Sequence, residues 1–344
     1  MVPNKRIKIF ILGFSLVTAM FSYYVWQVFK TPNFDVSEKK SFALLIPAGS
    51  DFKVVLDTLK KHDLVRDQLS FRFLAKVMGV ASRVRPGRYL ISSETGNFEL
   101  LRKMRNGKQD AIKVVINNFR LKEDIAGKLG RQLRFDSTYI YRMLDSNAFV
   151  ASYGYTKETI PCLFIPDTYE VFWTSSFEDL MKKMQQANNR FWTDKRIKQA
   201  AALNLTPVQA GILASIVYGE SKESSEQARI AGVYWNRFRT GMPLQADPTI
   251  VFAWKDFTIK RVTGKYTAIS SPYNTYRNIG LPPGPISIPP RDVIDKVLNL
   301  EKHEFLYFCA KEDFSGMHNF AVTYEEHLVN AAKYQSALDG LKIH

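Results

Sequence analysis

The longest apolar run in the sequence lies at its start. Residues Ile9 to Phe29 contain no acidic residue, and basic residues precede the run within positions 1–8. About 20 apolar residues are needed to cross ~30 Å of hydrocarbon as a helix, whereas the apolar part of a cleaved signal peptide has only about 7–15. Three aromatic side chains near the end of the run suit a membrane interface. The pattern therefore predicts a transmembrane helix at 9–29, with residues 1–8 in the cytoplasm and the chain after about residue 31 outside it.

Short apolar strands alternate with amphipathic helices after a polar tether predicted at residues 30–41. Ser50 is placed to cap the first of these helices. The pattern predicts strands at 42–46, 89–91 and 112–116 and helices at 52–61, 68–77 and 97–105. Elements this short and this closely spaced are typical of a small α+β module, which we place at residues 42–118.

The sequence predicts a second, larger α+β domain at residues 119–344. Thr206-Pro207 is a favourable helix start, and two capping boxes are predicted, at Ser224 with Gln227 and at Thr323 with Glu326. The elements expected are helical sequence at 121–150, a proline-rich loop at 160–169, a helix at 177–192, helices starting at 206 and 224, an irregular stretch at 241–290, a helix at 291–299, strands at 305–310 and 318–322, and a last helix at 324–338.

An acidic residue interrupts the apolar pattern of the helix that starts at Thr206. Val208, Ile212 and Ile216 recur every four residues, and the next position in that series is Glu220. Desolvation and the negative potential of a helix C-terminus both raise the pKa of a carboxyl group. We therefore expect Glu220 to be protonated near neutral pH, as a general acid for a glycosidic oxygen must be. The alternative is a glutamate that turns to solvent at a helix end, which position alone does not exclude.

Amide, hydroxyl and aromatic side chains on proline-stiffened loops follow Glu220. Such loops are too polar and too interrupted for a core, whereas aromatic rings stack on sugar rings and amides bind sugar hydroxyls. Each residue taken singly is more often a turn or an ordinary loop contact. The candidate glycan-binding residues are Asn236, Gln245, Asp247, Thr249, Tyr273, Asn274 and Tyr276.

The formal net charge of +15, with a pI near 9.6, requires an anionic partner or surface. Nucleic acid, acidic lipid and a polymer with free carboxylates all qualify, but a domain outside the cytoplasm would not meet genomic DNA. Cys162 and Cys309 could form a disulfide or remain free thiols, and both possibilities stay open. Neither His nor Cys is clustered at metal-ligand spacing, so we expect no metal site.

Several long motifs occur in a specific order along the chain. They are Leu213-Ala-Ser-Ile-Val-x-x-Glu220, Ala231-Gly-Val-Tyr-x-Asn-Arg237, Gly241-Met-x-Leu-Gln-x-Asp-Pro-Thr249, Tyr273-Asn-Thr-Tyr276 and Gly280-Leu-Pro-Pro-Gly-x-Ile286, with Ile165-Pro-Asp-Thr-Tyr169, His318-x-Phe320 and Glu326-His327. This sequence resembles the YceG-like endolytic murein transglycosylases over nearly its whole length. The resemblance implies that residues 42–118 are LysM-like and that 119–344 form a YceG-like catalytic domain.

The resemblance implies that Glu220 is the catalytic glutamate. Many family members carry another glutamate two residues earlier, where this sequence has Tyr218, and this departure puts a shared-proton scheme between two carboxylates in doubt. The implied enzyme is a lytic transglycosylase in the cytoplasmic (inner) membrane that cuts MurNAc–GlcNAc bonds without water or cofactor. It would leave 1,6-anhydroMurNAc ends and terminate nascent glycan strands. Expected partners are peptidoglycan strands, the membrane and cell-wall synthases, but not nucleic acid.

Two other functions compete with this interpretation. A hydrolytic muramidase would need a second carboxylate to place a water, and Asp247 or Asp167 could supply it. A non-catalytic wall-binding scaffold would need no catalytic residue. The three functions differ in product: anhydro ends, reducing ends or no cleavage.

Overall fold

The computed structural model describes residues 5–36 and 40–340 and shows a mixed α+β protein. The chain divides into two compact units. Of the described residues, the first contains 5–36, 40–113 and 170–176, and the second contains 114–169 and 177–340. Every sheet in the described residues has two strands.

The first helix, α1 (Lys5–Lys30), contains the predicted span. Of the helices in the described ranges, it alone is long and apolar enough by itself to cross a membrane, with a mean hydropathy of 1.7 over its most apolar window. Its apolar side chains are exposed as far as Trp26, whereas Val28 is buried and the Phe29 ring lies 5.4 Å from that of Phe98. The helix is compatible with a single-pass membrane anchor. Residues 1–4 of the predicted cytoplasmic segment lie outside the described residues.

Residues 31–36, which we expected in a polar tether, pack against the first unit. Phe34 and Val36 are buried, and Phe34 forms a β-bridge with Val65. The buried Asn33 amide donates to the side-chain oxygen of Asn97 at 2.8 Å. The tether prediction is therefore wrong for this part of 30–41, because the apolar residues that alternate with polar ones here belong to the core. Residues 37–39 lie outside the described ranges.

A pair of antiparallel strands organises the rest of the first unit. In it, Leu44 faces Tyr89, and both are fully buried. Asp51, and not Ser50 as predicted, caps the first helix after the strand, accepting from the Val54 amide at 3.1 Å. The elements are β1 (Phe42–Ile46), α2 (Phe52–Lys61), α3 (Gln68–Val77), β2 (Gly87–Ile91) and α4 (Asn97–Asn106), followed by β3 (Ile112–Ile116), of which only the first two residues belong to this unit; all lie as predicted within two residues at each end.

The remaining chain is mostly helical, and its strands form two further pairs, β3 with β4 and β5 with β6. The capping box at Thr323 and Glu326 is confirmed, with the Glu326 amide donating to Thr323 Oγ1 at 3.2 Å. The elements are α5 (Lys122–Gln132), α6 (Ser137–Leu144), α7 (Asn147–Ala151), a 3₁₀ helix (Ile160–Leu163), β4 (Asp167–Val171), α8 (Phe177–Phe191), α9 (Asp194–Ala202), α10 (Pro207–Glu220), α11 (Gln227–Arg239), α12 (Asp247–Trp254), α13 (Gly264–Thr267), α14 (Arg291–Leu298), β5 (Tyr307–Ala310), β6 (His318–Ala321) and α15 (Tyr324–Gly340).

The central helix α10 is more deeply buried than its sequence pattern predicts. Residues 210–217 are all buried, so the helix is enclosed on every side by α11, α12, α14 and neighbouring segments. Thr206 and Gln209 form a reciprocal capping box at its start, and Ser215 Oγ accepts from the Ile286 amide at 3.0 Å. A helix fixed in this way gives its last residue, Glu220, a well-defined position.

The next helix, α11, begins later than predicted. It starts at Gln227, and the expected capping box from Ser224 does not form. Instead, the Gln227 amide donates to the Ser221 carbonyl at 2.9 Å, and the buried Glu226 carboxylate accepts from the His318 backbone amide at 3.0 Å. These contacts tie the start of α11 to the end of α10 and to β6.

Candidate functional site

A tyrosine on α11 holds the Glu220 side chain. The Tyr234 hydroxyl donates a hydrogen bond to Glu220 Oε1, and Tyr234 itself is buried in the core. Because both side chains project from packed helices, the carboxyl group has little freedom to turn to solvent. The structure therefore favours a held glutamate over a solvated one.

The surroundings of Glu220 raise its pKa to about 7. Burial is the largest cause, the hydrogen bond from Tyr234 opposes it, the negative charge of Asp247 adds to it, and the positive charge of Arg237 opposes it. The prediction of a raised pKa through burial is confirmed. A carboxyl group with this pKa can both donate and accept a proton near neutral pH, as acid/base catalysis requires.

A second carboxylate lies close to Glu220. Asp247 is the first residue of α12, and the Tyr276 hydroxyl donates to its Oδ1 atom at 2.5 Å. Burial raises the pKa of Asp247, and this hydrogen bond opposes the rise. Asp247 is therefore the candidate for any second carboxylate.

A glycine allows α12 to approach the end of α10. A Cβ atom on Gly219 would lie 2.7 Å from Pro248 Cβ, closer than real Cβ atoms pack. Pro248 directly follows Asp247, so the missing side chain is what lets the second carboxylate come near Glu220. The close approach gives a physical reason for glycine at this position.

A buried arginine completes the polar surroundings. The Arg237 guanidinium donates to the carbonyls of Leu306 at 2.6 Å and Leu244 at 2.7 Å. Within the described residues it forms no ion pair with a carboxylate, but its charge acts on Glu220. Arg237 is thus positioned to stabilise the glutamate when it becomes negatively charged.

Three cavities adjoin one another along this surface, and we call them together the groove. The basic cavity, about 420 Å³, contains Arg120, Lys222 and Lys260 with Glu220 and Asp247. The aromatic cavity, about 300 Å³, contains Glu220 and Asp247 again, with Tyr234, Tyr276, Tyr307 and Phe308. The outer cavity, about 370 Å³, shares Asn118 and Tyr218 with the basic cavity. Glu220 and Asp247 therefore lie where the basic and aromatic cavities meet.

Three of the predicted binding residues line the groove beside Glu220. Gln245, Asp247 and Tyr276 all reach the aromatic cavity. Gln245 is exposed, with its backbone in the left-handed region at φ 51°. The structure thus brings these three side chains together with the glutamate.

Thr249 and Asn274, also predicted to bind glycan, are fully buried and support the loops. The Asn274 amide donates to the carbonyls of Thr267 at 2.9 Å and Ile269 at 2.8 Å, and the Thr249 hydroxyl pairs with that of Thr275 at 2.8 Å. The binding prediction is corrected for both, because their polar atoms are occupied by protein partners.

Asn236 is also held by protein contacts, whereas Tyr273 is half-buried. The buried Asn236 amide donates to the carbonyls of His303 at 2.8 Å and Phe305 at 3.1 Å. The Tyr273 ring packs against that of Phe252, with ring centroids 4.7 Å apart, and Phe252 lines the basic cavity. The binding prediction is corrected for Asn236, because its amide is occupied by protein partners, whereas a glycan contact of Tyr273 stays a prediction.

Asp167, the other proposed second carboxylate, is not beside Glu220. It lines the outer cavity and forms an ion pair with Arg291 at 2.5 Å. Cys162 and Cys309 are not bonded to each other. Within residues 5–36 and 40–340, no group of three or more His, Cys, Asp or Glu side chains is arranged to hold a metal ion.

Comparisons with known proteins agree on one family. A Bacillus subtilis (strain 168) protein named endolytic murein transglycosylase is 28% identical over 319 aligned positions, and the alignment covers 87% of this chain and 86% of that protein. A protein of the same name from Streptococcus pneumoniae serotype 2 is 27% identical over 371 aligned positions, and the alignment covers 96% of this chain but only 66% of that protein. A crystal structure of a YceG-like protein from Listeria monocytogenes superposes with a TM-score of 0.54 at 28% identity, covering 85% of this chain and 99% of that one. The sequence model of the YceG-like family matches residues 44–333, so the chain belongs to the YceG-like family.

Proposed function

We propose that this protein is a membrane-anchored endolytic lytic transglycosylase of peptidoglycan. The observation that carries the proposal is the position of Glu220, whose pKa is about 7, where the basic and aromatic cavities meet. A groove that continues on both sides of the acid can hold a polymer on both sides of the cut, as endolytic cleavage requires. Similarity to proteins named endolytic murein transglycosylases supports the substrate.

In the first step, protonated Glu220 gives its proton to the glycosidic oxygen between MurNAc and GlcNAc. The bond from muramyl C1 to that oxygen breaks, and the substrate's acetamido group stabilises the oxocarbenium-like centre at C1. The hydrogen bond from Tyr234 and the charge of Arg237 favour the glutamate anion that this step produces. The leaving GlcNAc keeps the transferred proton as its hydroxyl hydrogen.

In the second step, the muramyl C6 hydroxyl attacks C1 and transfers its proton to the Glu220 carboxylate. Ring closure gives a 1,6-anhydro end and restores the protonated acid, so no water is consumed. Because the nucleophile belongs to the same sugar, its effective concentration at C1 is high. One carboxyl group is sufficient for both steps.

Hydrolysis is the second candidate reaction, and the position of Asp247 is the observation that favours it. Asp247 lines both cavities that contain Glu220 and could hold a water molecule for attack on C1. Asp167 lies in the outer cavity and is paired with Arg291, so it is not a candidate for this role. A muramidase would leave reducing ends where the transglycosylase leaves anhydro ends.

The anchor helix would hold the groove near the outer surface of the cytoplasmic membrane. New glycan strands grow at this surface, so cleavage there would terminate nascent strands. Cell-wall synthases are the expected partner class. The LysM-like assignment of residues 42–118 remains a prediction, supported by the compact arrangement of β1, α2, α3 and β2.

The first prediction concerns Glu220→Gln, which keeps size and hydrogen bonding but removes the transferable proton. We expect activity on purified peptidoglycan to fall at least about 10²-fold, the usual contribution of a positioned acid/base. Mass spectrometry of wild-type products should show 1,6-anhydromuramyl ends. Glu223→Gln makes the same chemical change at an exposed position outside the groove and is the matched control.

Near-normal cleavage by the Glu220→Gln protein would contradict the proposed role of this residue. Reducing ends from the wild type would support the muramidase and make Asp247 the next residue to test. No cleavage by the wild type on any glycan would favour a non-catalytic scaffold.

The second prediction concerns Tyr234→Phe, which removes the hydrogen bond to Glu220. That bond stabilises the charged carboxylate and lowers its pKa, so its loss should raise the pKa of Glu220 above about 7. A general acid is active while protonated, and the loss of kcat/KM at high pH should therefore move to higher pH. Tyr307 lies in the same cavity but forms no hydrogen bond to Glu220. Tyr307→Phe should therefore leave the pH at which kcat/KM falls unchanged. If kcat/KM of Tyr234→Phe falls at the same high pH as that of the wild type, the proposed role of the hydrogen bond is refuted.

The third prediction concerns topology. Basic residues at the start of α1, Lys5, Arg6 and Lys8, favour a cytoplasmic N-terminus. A reporter that is active only outside the cytoplasm should therefore be active when it is fused after the last residue. A second fusion with a reporter active only in the cytoplasm should be silent. The opposite pattern would reverse the topology.

A further inference from the structure

The basic cavity contains three cations whose charges are not balanced by neighbouring acids. Arg120, Lys222 and Lys260 all line it, and among residues 5–36 and 40–340 none of them is paired with a carboxylate. The acidic side chains that line this cavity are Glu220 and Asp247, at its junction with the aromatic cavity. Burial raises the pKa of Glu220 to about 7, which reduces its ability to neutralise the cations near neutral pH.

Protein contacts fix two of the cations without neutralising them. The Lys222 ammonium donates to the Tyr218 carbonyl and lies 3.2 Å from the centre of the Tyr218 ring. The Arg120 guanidinium lies 4.6 Å from the centre of the Phe257 ring. Carbonyl oxygens and aromatic rings hold a cation in place but leave its positive charge available to a ligand.

The two fixed cations are also close enough to repel each other. Burial, and then the charge of Arg120, lower the pKa of Lys222 to about 8. Two like charges held side by side gain stability when an anion binds between them. The cavity therefore has the charge, the room and the fixed donors of an anion site.

The substrate carries an anion on only one of its two sugars. The C3 oxygen of MurNAc bears a lactyl group, which ends in a carboxylate or carries a stem peptide with carboxylates of its own, whereas C3 of GlcNAc has a plain hydroxyl. A cationic wall beside the acid can therefore distinguish the two sugars at the bond to be cut. The aromatic cavity contains one cation, Arg237, which is buried and donates to the carbonyls of Leu306 and Leu244. The tyrosine rings of this cavity suit an uncharged sugar face.

We propose that the basic cavity binds the carboxylate-bearing C3 arm of the muramyl residue at the cleaved bond. This inference rests on the proposed function. It also sets the direction of the strand, with MurNAc on the basic side of Glu220 and GlcNAc on the aromatic side. Cleavage on the correct side of MurNAc follows, since only that orientation presents muramyl C1 to the acid.

The test compares glycan strands whose carboxylates are intact with strands whose carboxylates have been converted to methylamides. The full-length protein in detergent is used, and both strand types are prepared with and without stem peptides. For the wild type, we expect conversion to raise KM about tenfold, the scale of a lost charge-assisted contact, with kcat changed less than about threefold.

The matching change in the protein is Arg120→Gln with Lys222→Gln. We expect this double variant to show the same rise in KM on intact strands and no further rise on converted strands, as in a double-mutant cycle between enzyme and substrate. Lys222→Arg should restore most of the affinity that Lys222→Gln loses. Lys198→Gln removes one exposed charge on α9, away from the groove, and should not alter KM.

The outcomes separate this proposal from the proposed function. If the wild type cuts no strand, the proposed function fails. If the wild type cuts intact and converted strands with equal KM, only the carboxylate site is refuted. The same holds if the double substitution raises KM as much on converted strands as on intact strands. An effect on peptide-free strands identifies the lactyl carboxylate as the ligand, and an effect confined to peptide-bearing strands identifies the stem carboxylates; either result supports the site.

Discussion

A carboxyl group buried at the end of a packed helix is destabilised when it is charged, because it loses the water that would solvate the charge. Glu220 is half-buried at the end of α10 and loses part of its water in this way, and its neighbours reduce the effect without abolishing it. Tyr234 donates to the carboxylate, and Arg237 adds a positive charge. The resulting pKa, about 7, makes a single residue suitable for both proton transfers of an intramolecular cleavage.

The segments that form the groove surround Glu220 but leave it accessible to a ligand. Buried amides and hydroxyls fix the irregular segment after α11, so that α12 begins beside Glu220. Gly219 removes the atoms that would keep α12 away. Residues that the sequence suggests as sugar ligands, Asn274 and Thr249 among them, therefore act by holding the walls on which Gln245, Tyr276 and Asp247 are displayed.

The sequence predicts the regular elements well where local signals are strong. The strands and helices of the first unit follow from short apolar runs between turn residues, and α10 follows from Thr206-Pro207 and a helical apolar pattern. The sequence pattern does not predict β4, α9, α12 and α13, because these elements are polar or short and depend on tertiary packing. Glu220 is identifiable because a carboxylate continues an apolar series.

The composition of the groove is less predictable. Tyr234 occupies a core position in the helical pattern, so the sequence does not reveal that its hydroxyl reaches Glu220. An asparagine that binds a ligand and one that ties a loop look alike in sequence, as Asn236 shows. Arg120, Lys222 and Lys260 contribute to the net charge but are separated along the chain, and only the fold brings them to one cavity.

The unfolding free energies of the wild type and Glu220→Gln, compared between pH 4 and 9, test the central claim most directly. The folded-state pKa of Glu220, about 7, lies above its ordinary value of 4.5, so the folded protein retains a proton that the unfolded chain releases. Relative to the glutamine variant, the wild type should lose stability as pH rises from about 4.5 to about 7 and then level off, by at most about 3 kcal/mol at 1.36 kcal/mol per pKa unit. A difference that stays constant across this range would show that Glu220 titrates like an exposed glutamate, and would contradict the account of it as a desolvated acid.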